Sequence, residues 1–339
     1  MENMKHYFYV PSYNVLRQYL YFKQKFQDVI IVSGNRDLVK FAQYMKWEAI
    51  DCSMGLRSEK NKSINIFKRL IDFWKRSDDA VDYVISNIDN GIFYFSFLLI
   101  DLWGLKLVKK IAQKKNVKIV YLEDTKVISN HKALKKVSIS YRYVQYYSML
   151  LYLLPVKWFD TGGGHYLGVS KDFLKKYGII CDKSPDPFYS PVEVLAIPLK
   201  ASIEVLIIGG ESIDDNKNVM NTENIKSVLR FIKEIRPDAC FKYHPGAPVH
   251  NELCDSFSQV DSFIPVEFLH KSIKIAVADF SVSLINLSLL GVKCVAYLKL
   301  LETYSNFDKD FYIKMLTEDS KGKINFVNSF DELAAQLKA

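Results

Sequence analysis

The chain predicts an α/β fold with parallel, doubly wound sheets, and it predicts that fold twice. Short apolar runs alternate with helical patterns from the start of the chain, the signature of βα units feeding a parallel sheet. The alternation breaks after Tyr177, across residues 181–200, where prolines stand at 185, 187, 191 and 198 among turn formers. A passage of that composition reads as an interdomain linker. The alternation then resumes, and a length of 339 residues, 49% hydrophobic and 25% charged, gives mass for two cores at about 150 residues per domain.

In the first half the apolar runs place strands at 6–10, 29–33, 83–86 and 117–122, with helical stretches at 14–26, 38–45, 64–75 and 93–114. In the second half strands are predicted at 204–208, 239–243, 262–264, 273–278 and 293–297, with helices at 223–235 and 283–290. The organisation expected is a first Rossmann-like domain at 1–180, a linker at 181–200 and a second Rossmann-like domain at 201–339. The two would face each other across a cleft, the kind of crevice in which ligands are held.

Composition excludes several classes. The five cysteines (Cys52, Cys181, Cys240, Cys254, Cys294) are scattered and form no C-x-x-C pair. That argues against a disulfide framework or a structural zinc site and fits a reducing cytosol. The N-terminal MENMKHYFYV has no apolar core of a signal peptide. The greasiest run, 92–108, is interrupted by Asp101 and Lys106 and reads as too broken to span a bilayer. A second aromatic stretch at 141–159 reads as a helix of the first core; docking at the inner membrane is the other reading. The formal charge of +8, mostly lysine, suits a soluble surface, anionic lipid or an acidic substrate. With no zinc-finger spacing or RNA-binding signature beside it, nucleic acid is not an expected partner.

Four motifs in the second half fall in order, each where a predicted strand ends. Gly209-Gly210 follows the strand ending at Ile208; glycines there let the backbone approach a ligand closely, or simply make a tight turn. His244-Pro245 follows the strand at 239–243. Proline stiffens the corner, and a histidine on it can bind a phosphate and carry a proton to a leaving group. In Pro265-Val266-Glu267 a carboxylate opens a helical segment, where it suits a ribose diol or the helix dipole. In Asp279-Phe280-Ser281-Val282-Ser283 two hydroxyls open the helix at 283–290, fit for a phosphate or for an N-cap.

This order of motifs resembles the donor-binding half of bacterial sialyltransferases of the GT-B architecture, which use CMP-activated sialic acid. By that resemblance His244 and Pro245 meet the CMP phosphate, with His244 assisting its departure. Glu267 holds the ribose, and Ser281 and Ser283 bind phosphate oxygens; Gly209 and Gly210, read from their place at a strand end, are also expected to line the nucleotide. The family has two adjacent hydroxyl residues where Val282 here separates the serines, which leaves open which serine acts. The family also carries an acidic pair and a glycine after a strand of its first domain. This chain has Glu123-Asp124-Thr125 after 117–122, so the resemblance makes Asp124 the general base, with Thr125 in place of the glycine. A neighbouring carboxylate at Glu123 and partial burial would raise its proton affinity.

Other strand ends offer acceptor-side groups: Ser12 and Asn14 after the first strand, and Asp89 in the polar turn 86–91. Thr161-Gly162-Gly163-Gly164-His165 suits a hinge. The reaction implied is inverting transfer of sialic acid from CMP to a sugar hydroxyl of an oligosaccharide or lipid-linked surface glycan. The expected setting is cytoplasmic, with peripheral association at the inner membrane as an option. No metal cofactor is expected, because CMP carries one phosphate and the lone Asp-x-Asp, Asp308-Lys309-Asp310, lies on a late segment. Rival readings are another CMP-linked acidic sugar such as Kdo or legionaminic acid, a UDP- or GDP-sugar enzyme, and a glycan-binding or assembly protein without turnover.

Overall fold

The computed structural model describes residues 4–53, 78–96, 102–114, 116–123, 156–160, 165–169, 171–183, 197, 202–209, 220–244, 251–304 and 307–338. The chain divides into two compact units, Met1–Val192 and Glu193–Ala339, and the division falls inside 181–200.

The first unit contains β1 (Lys5–Tyr9), β2 (Val29–Ser33), β3 (Ala49–Asp51), β4 (Gly91–Phe95), β5 (Val117–Glu123), β6 (Val156–Asp160), β7 (His165–Val169) and β8 (Ile180–Lys183). Six of them form one parallel sheet in the order β3-β2-β1-β4-β5-β8. Every residue of β2, Val-Ile-Ile-Val-Ser, is buried, as a parallel strand covered by helices on both faces must be. The helix Arg36–Tyr44 starts where the Asn35 side chain accepts the N–H groups of Asp37 (3.1 Å) and Leu38 (3.4 Å), satisfying donors the helix cannot pair itself. It buries Leu38, Val39, Phe41 and Ala42, each large aliphatic contributing about 1.5–3 kcal/mol.

Several assignments differ from the sequence reading. Residues 83–86 are not a strand but lie in a helical segment, 78–87. Its buried Ala80, Val81 and Val84 follow helical spacing while Tyr83 is exposed. The strand is Gly91–Phe95, which takes the first residues of the helix expected at 93–114 and leaves Leu102–Ile111. A Cβ at Gly91 would stand 2.3 Å from the Lys5 carbonyl oxygen, so glycine is what lets β4 lie against β1. A further difference is that Val156–Asp160, overlapping the stretch read as helix, forms an antiparallel ribbon with His165–Val169. Residues 141–155 and 161–164 lie outside the described residues. Residues 181–183 belong to β8, which pairs with β5, rather than to the linker.

The second unit contains β9 (Ile203–Ile208), β10 (Cys240–Lys242), β11 (Ser258–Gln259), β12 (Ile273–Ala278), β13 (Lys293–Ala296) and β14 (Ile324–Phe326). They form a parallel sheet in the order β11-β10-β9-β12-β13-β14. The short strand expected at 262–264 is found earlier, at 258–259. The core packs Val205 and Ile207 of β9, Val277 of β12 and Val295 of β13 against Val228, Leu229 and Ile232 of the helix Thr222–Ile235 and Leu333 of the helix Phe330–Lys338. That last helix, β14 and the helix Lys309–Asp319 extend the unit beyond the elements read from sequence. Among the described residues no helix is long and apolar enough to cross a membrane.

Candidate functional site

Both sheets place their strands in the spatial order third, second, first, fourth, fifth, sixth. Where the winding reverses, between first and fourth strands, the loops leave in opposite directions and open a crevice at the carboxyl ends. In the second unit that point lies between β9 and β12, with β10 on the far side of β9. The ends of β10 and β12 are thus about 10 Å apart, two strand spacings. Gly209, His244, Asp279, Ser281 and Ser283 all follow these three strands.

Gly209 donates its N–H to the Lys242 carbonyl (3.0 Å). A Cβ there would stand 2.6 Å from the ring of Phe241, a core residue, so packing alone already requires glycine. Gly210 and Pro245 lie outside the described residues. His244 is exposed, two residues past β10, and the two residues before it are anchored. Lys242, buried, donates to the Ser262 carbonyl (2.9 Å). The Tyr243 hydroxyl donates to Asp255 Oδ1 (2.7 Å) and accepts the N–H of Asn251 (3.1 Å). Both ends of the segment 244–250 are therefore tied to one phenol, and burial pushes that phenol's pKa above its usual range.

Glu267 sits in a 3-10 segment, Val266–Ser272, and its Oε1 accepts the Asn286 side-chain N–H (2.7 Å). Asn286 belongs to the short helix Ser283–Leu289 after β12. Because a carboxylate only accepts, the amide is oriented with Nδ2 toward Glu267. Among the described residues its Oδ1 is then buried with no partner, a cost of about 1–3 kcal/mol. At the end of β12 Asp279 is 4% exposed. Burial pushes its pKa up to about 6, against the smaller opposing effect of the Phe280 N–H, which donates to Oδ1 (2.7 Å).

The serine turn departs from the expected cradle of free amides. Ser281 Oγ accepts the Ser283 N–H (3.3 Å), and the N–H groups of Leu284 and Ile285 bond the carbonyls of Ser281 and Val282. The helix's N-cap is Val282, while Ser281 satisfies one of these amides itself. What it can still offer an anion is its hydroxyl proton, along with the hydroxyl of Ser283, rather than the amides of 283–285.

In the first unit β5 ends at Glu123, so Glu123 stands at the carboxyl edge; Asp124 lies outside the described residues. Ser12 precedes the helix Tyr13–Lys25 in extended backbone and makes no side-chain cap hydrogen bond; Asn14 is in that helix's first turn. Both follow β1, beside that sheet's reversal point. Asp89 stands at the opposite edge. It precedes β4 and pairs with Lys5 at the start of β1 (3.0 Å), because the strand near it begins rather than ends there. Among the described residues no cluster of three metal-ligating side chains occurs. Asp308 caps the helix Lys309–Asp319 by accepting the Phe311 N–H (3.1 Å).

The sequence reading assigned no role to Asn286, Asp279 or Tyr243. Asn286 had a visible signal, an amide in Ser-Leu-Ile-Asn-Leu-Ser-Leu, but its partner did not. No family model and no curated protein matches the chain. Among solved structures it is similar to UDP-GlcNAc 2-epimerase from Methanocaldococcus jannaschii, with 11% identity over 99% of this chain and 92% of that one and a TM-score of 0.45. It is also similar to the glycosyltransferase SnogD from Streptomyces nogalater, with 11% identity over 99% of each chain and a TM-score of 0.41. A third is the spinosyn rhamnosyltransferase SpnG complexed with thymidine diphosphate, with 12% identity over 99% of this chain and 92% of that one and a TM-score of 0.42. The architecture described above stands on its strand order, independently of these likenesses.

Proposed function

We propose that the chain is an inverting glycosyltransferase that takes sialic acid, or a related acidic sugar, from its CMP ester and delivers it to a sugar hydroxyl of a surface glycan. The observation that supports this reading most is the convergence at the carboxyl edge of the second sheet. There His244, next to the anchored Lys242 and Tyr243, follows β10 and a hydroxyl-bearing helix start follows β12, on either side of β9 at the winding reversal, and the Glu267 carboxylate is hydrogen-bonded to that helix. Each suits one part of a nucleoside monophosphate ester. The Glu267 carboxylate accepts ribose hydroxyls, the Ser281 and Ser283 hydroxyls donate to phosphate oxygens, and His244 binds the phosphate and hands it a proton as it leaves.

Asp124, following the strand that ends at Glu123, takes the proton of the attacking hydroxyl. The oxygen of that hydroxyl bonds to the anomeric carbon as the bond from that carbon to the CMP phosphate breaks. Charge placement at a single phosphate, rather than a divalent ion, stabilises the departing group in this scheme. The test is incubation with CMP-sialic acid and a panel of galactosides, with products identified by mass. A sialylated product and free CMP are expected, in EDTA as well as without it. Asp124→Ala should lower transfer by roughly 10²–10⁴-fold while CMP binding persists. Product from a UDP- or GDP-sugar only would overturn the donor assignment, and glycan binding without turnover of any donor would overturn the enzymatic one.

A further inference from the structure

From the pairing of Asn286 with Glu267 we infer that Asn286 is a positioning residue. It fixes the Glu267 carboxylate and so sets the site's preference for a ribonucleotide over a deoxyribonucleotide. The inference rests on the proposed reading of Glu267 as the ribose contact.

Glu267 is a half-buried side chain with three rotatable bonds, and left untethered it spreads over many rotamers. Two of its contacts limit it. His270 Nδ1 lies 2.9 Å from the Glu267 carbonyl oxygen and holds the main chain, and Asn286 Nδ2 donates to Oε1 at 2.7 Å. The neighbours of Asn286, Leu284, Ile285 and Leu287, are fully buried. A leucine at 286 would continue that apolar surface, whereas the amide leaves Oδ1 buried without a partner among the described residues. Packing therefore does not account for the amide; a donor aimed at Glu267 does. A carboxylate held in one orientation accepts both hydroxyls of a ribose, and a deoxyribose leaves part of that acceptor unmet.

Calorimetric binding of CMP and of 2′-deoxy-CMP to the full chain tests this, with Asn286→Leu, the isosteric Asn286→Asp and Glu267→Gln compared with the parent. The parent should bind CMP roughly ten- to hundredfold more tightly than 2′-deoxy-CMP. In both Asn286 variants the CMP affinity should fall toward that of the deoxynucleotide, whose own affinity hardly moves. Asn286→Asp keeps the volume of the side chain should the leucine variant fail to fold. A merely structural role would weaken both ligands in proportion and leave their ratio unchanged, and that result in a folded variant overturns the inference. Equal binding of the two nucleotides by the parent also overturns it. Binding of neither defeats the donor reading itself and the inference with it.

Discussion

At the scale of single residues, Asp279 sets a measurable term in stability. Its carboxyl releases a proton near pH 3.8 in the unfolded chain but only near about 6 in the fold, because burial penalises the charged form. Between those values the folded state binds more protons, so stability falls as pH rises through this window, by about 3 kcal/mol in all at about 1.4 kcal/mol per pH unit. Urea midpoints of the parent should therefore drop between about pH 4 and pH 7 relative to those of Asp279→Asn, in which this titration is gone. Parallel curves for the two proteins would remove Asp279 from the account. A costly ionisable group kept at a winding reversal, beside the serine turn, is in keeping with a site rather than a core position.

At the scale of elements, the ends of strands are where packing and site coincide. Gly209 illustrates this, since a methyl group there would meet the Phe241 ring at 2.6 Å. That ring is 3% exposed and packs edge-on to Tyr243, with ring centroids 4.9 Å apart. Gly209→Ala should lower stability by about 1–3 kcal/mol, read as a lower urea midpoint, and should weaken CMP binding through displacement of the Phe241-Lys242-Tyr243 strand end. An unchanged midpoint would mean that the ring yields at no cost. The strand misplaced in the sequence reading is equally instructive. Residues 83–86 are apolar enough for a strand, but Ala80, Val81 and Val84 share one buried helical face. Short apolar runs fit both periods, and only packing separates them.

At the scale of the molecule, each unit has its own sheet, its own winding reversal and its own buried cluster. The cluster in the second unit, from Val205 to Leu337, is closed by the helix Phe330–Lys338 and β14, both within Glu193–Ala339. That segment, produced alone, should unfold in a single cooperative urea transition and bind CMP with nearly the affinity of the full chain. A segment that stays unfolded would show that its core is completed by the first unit. Transfer, by contrast, should need both units, since Asp124 and His244 belong to different ones.

The alternation of strands and helices, the restart in the second half and the position of Glu123, His244 and Ser281 at strand ends were legible because burial writes a local period into the chain. Two matters were decided by tertiary structure. Asp89 lies at the amino edge beside Lys5, and Glu267 is held by an amide 19 residues away. Such pairings depend on strand order and on how each crossover packs, and a one-dimensional pattern carries neither.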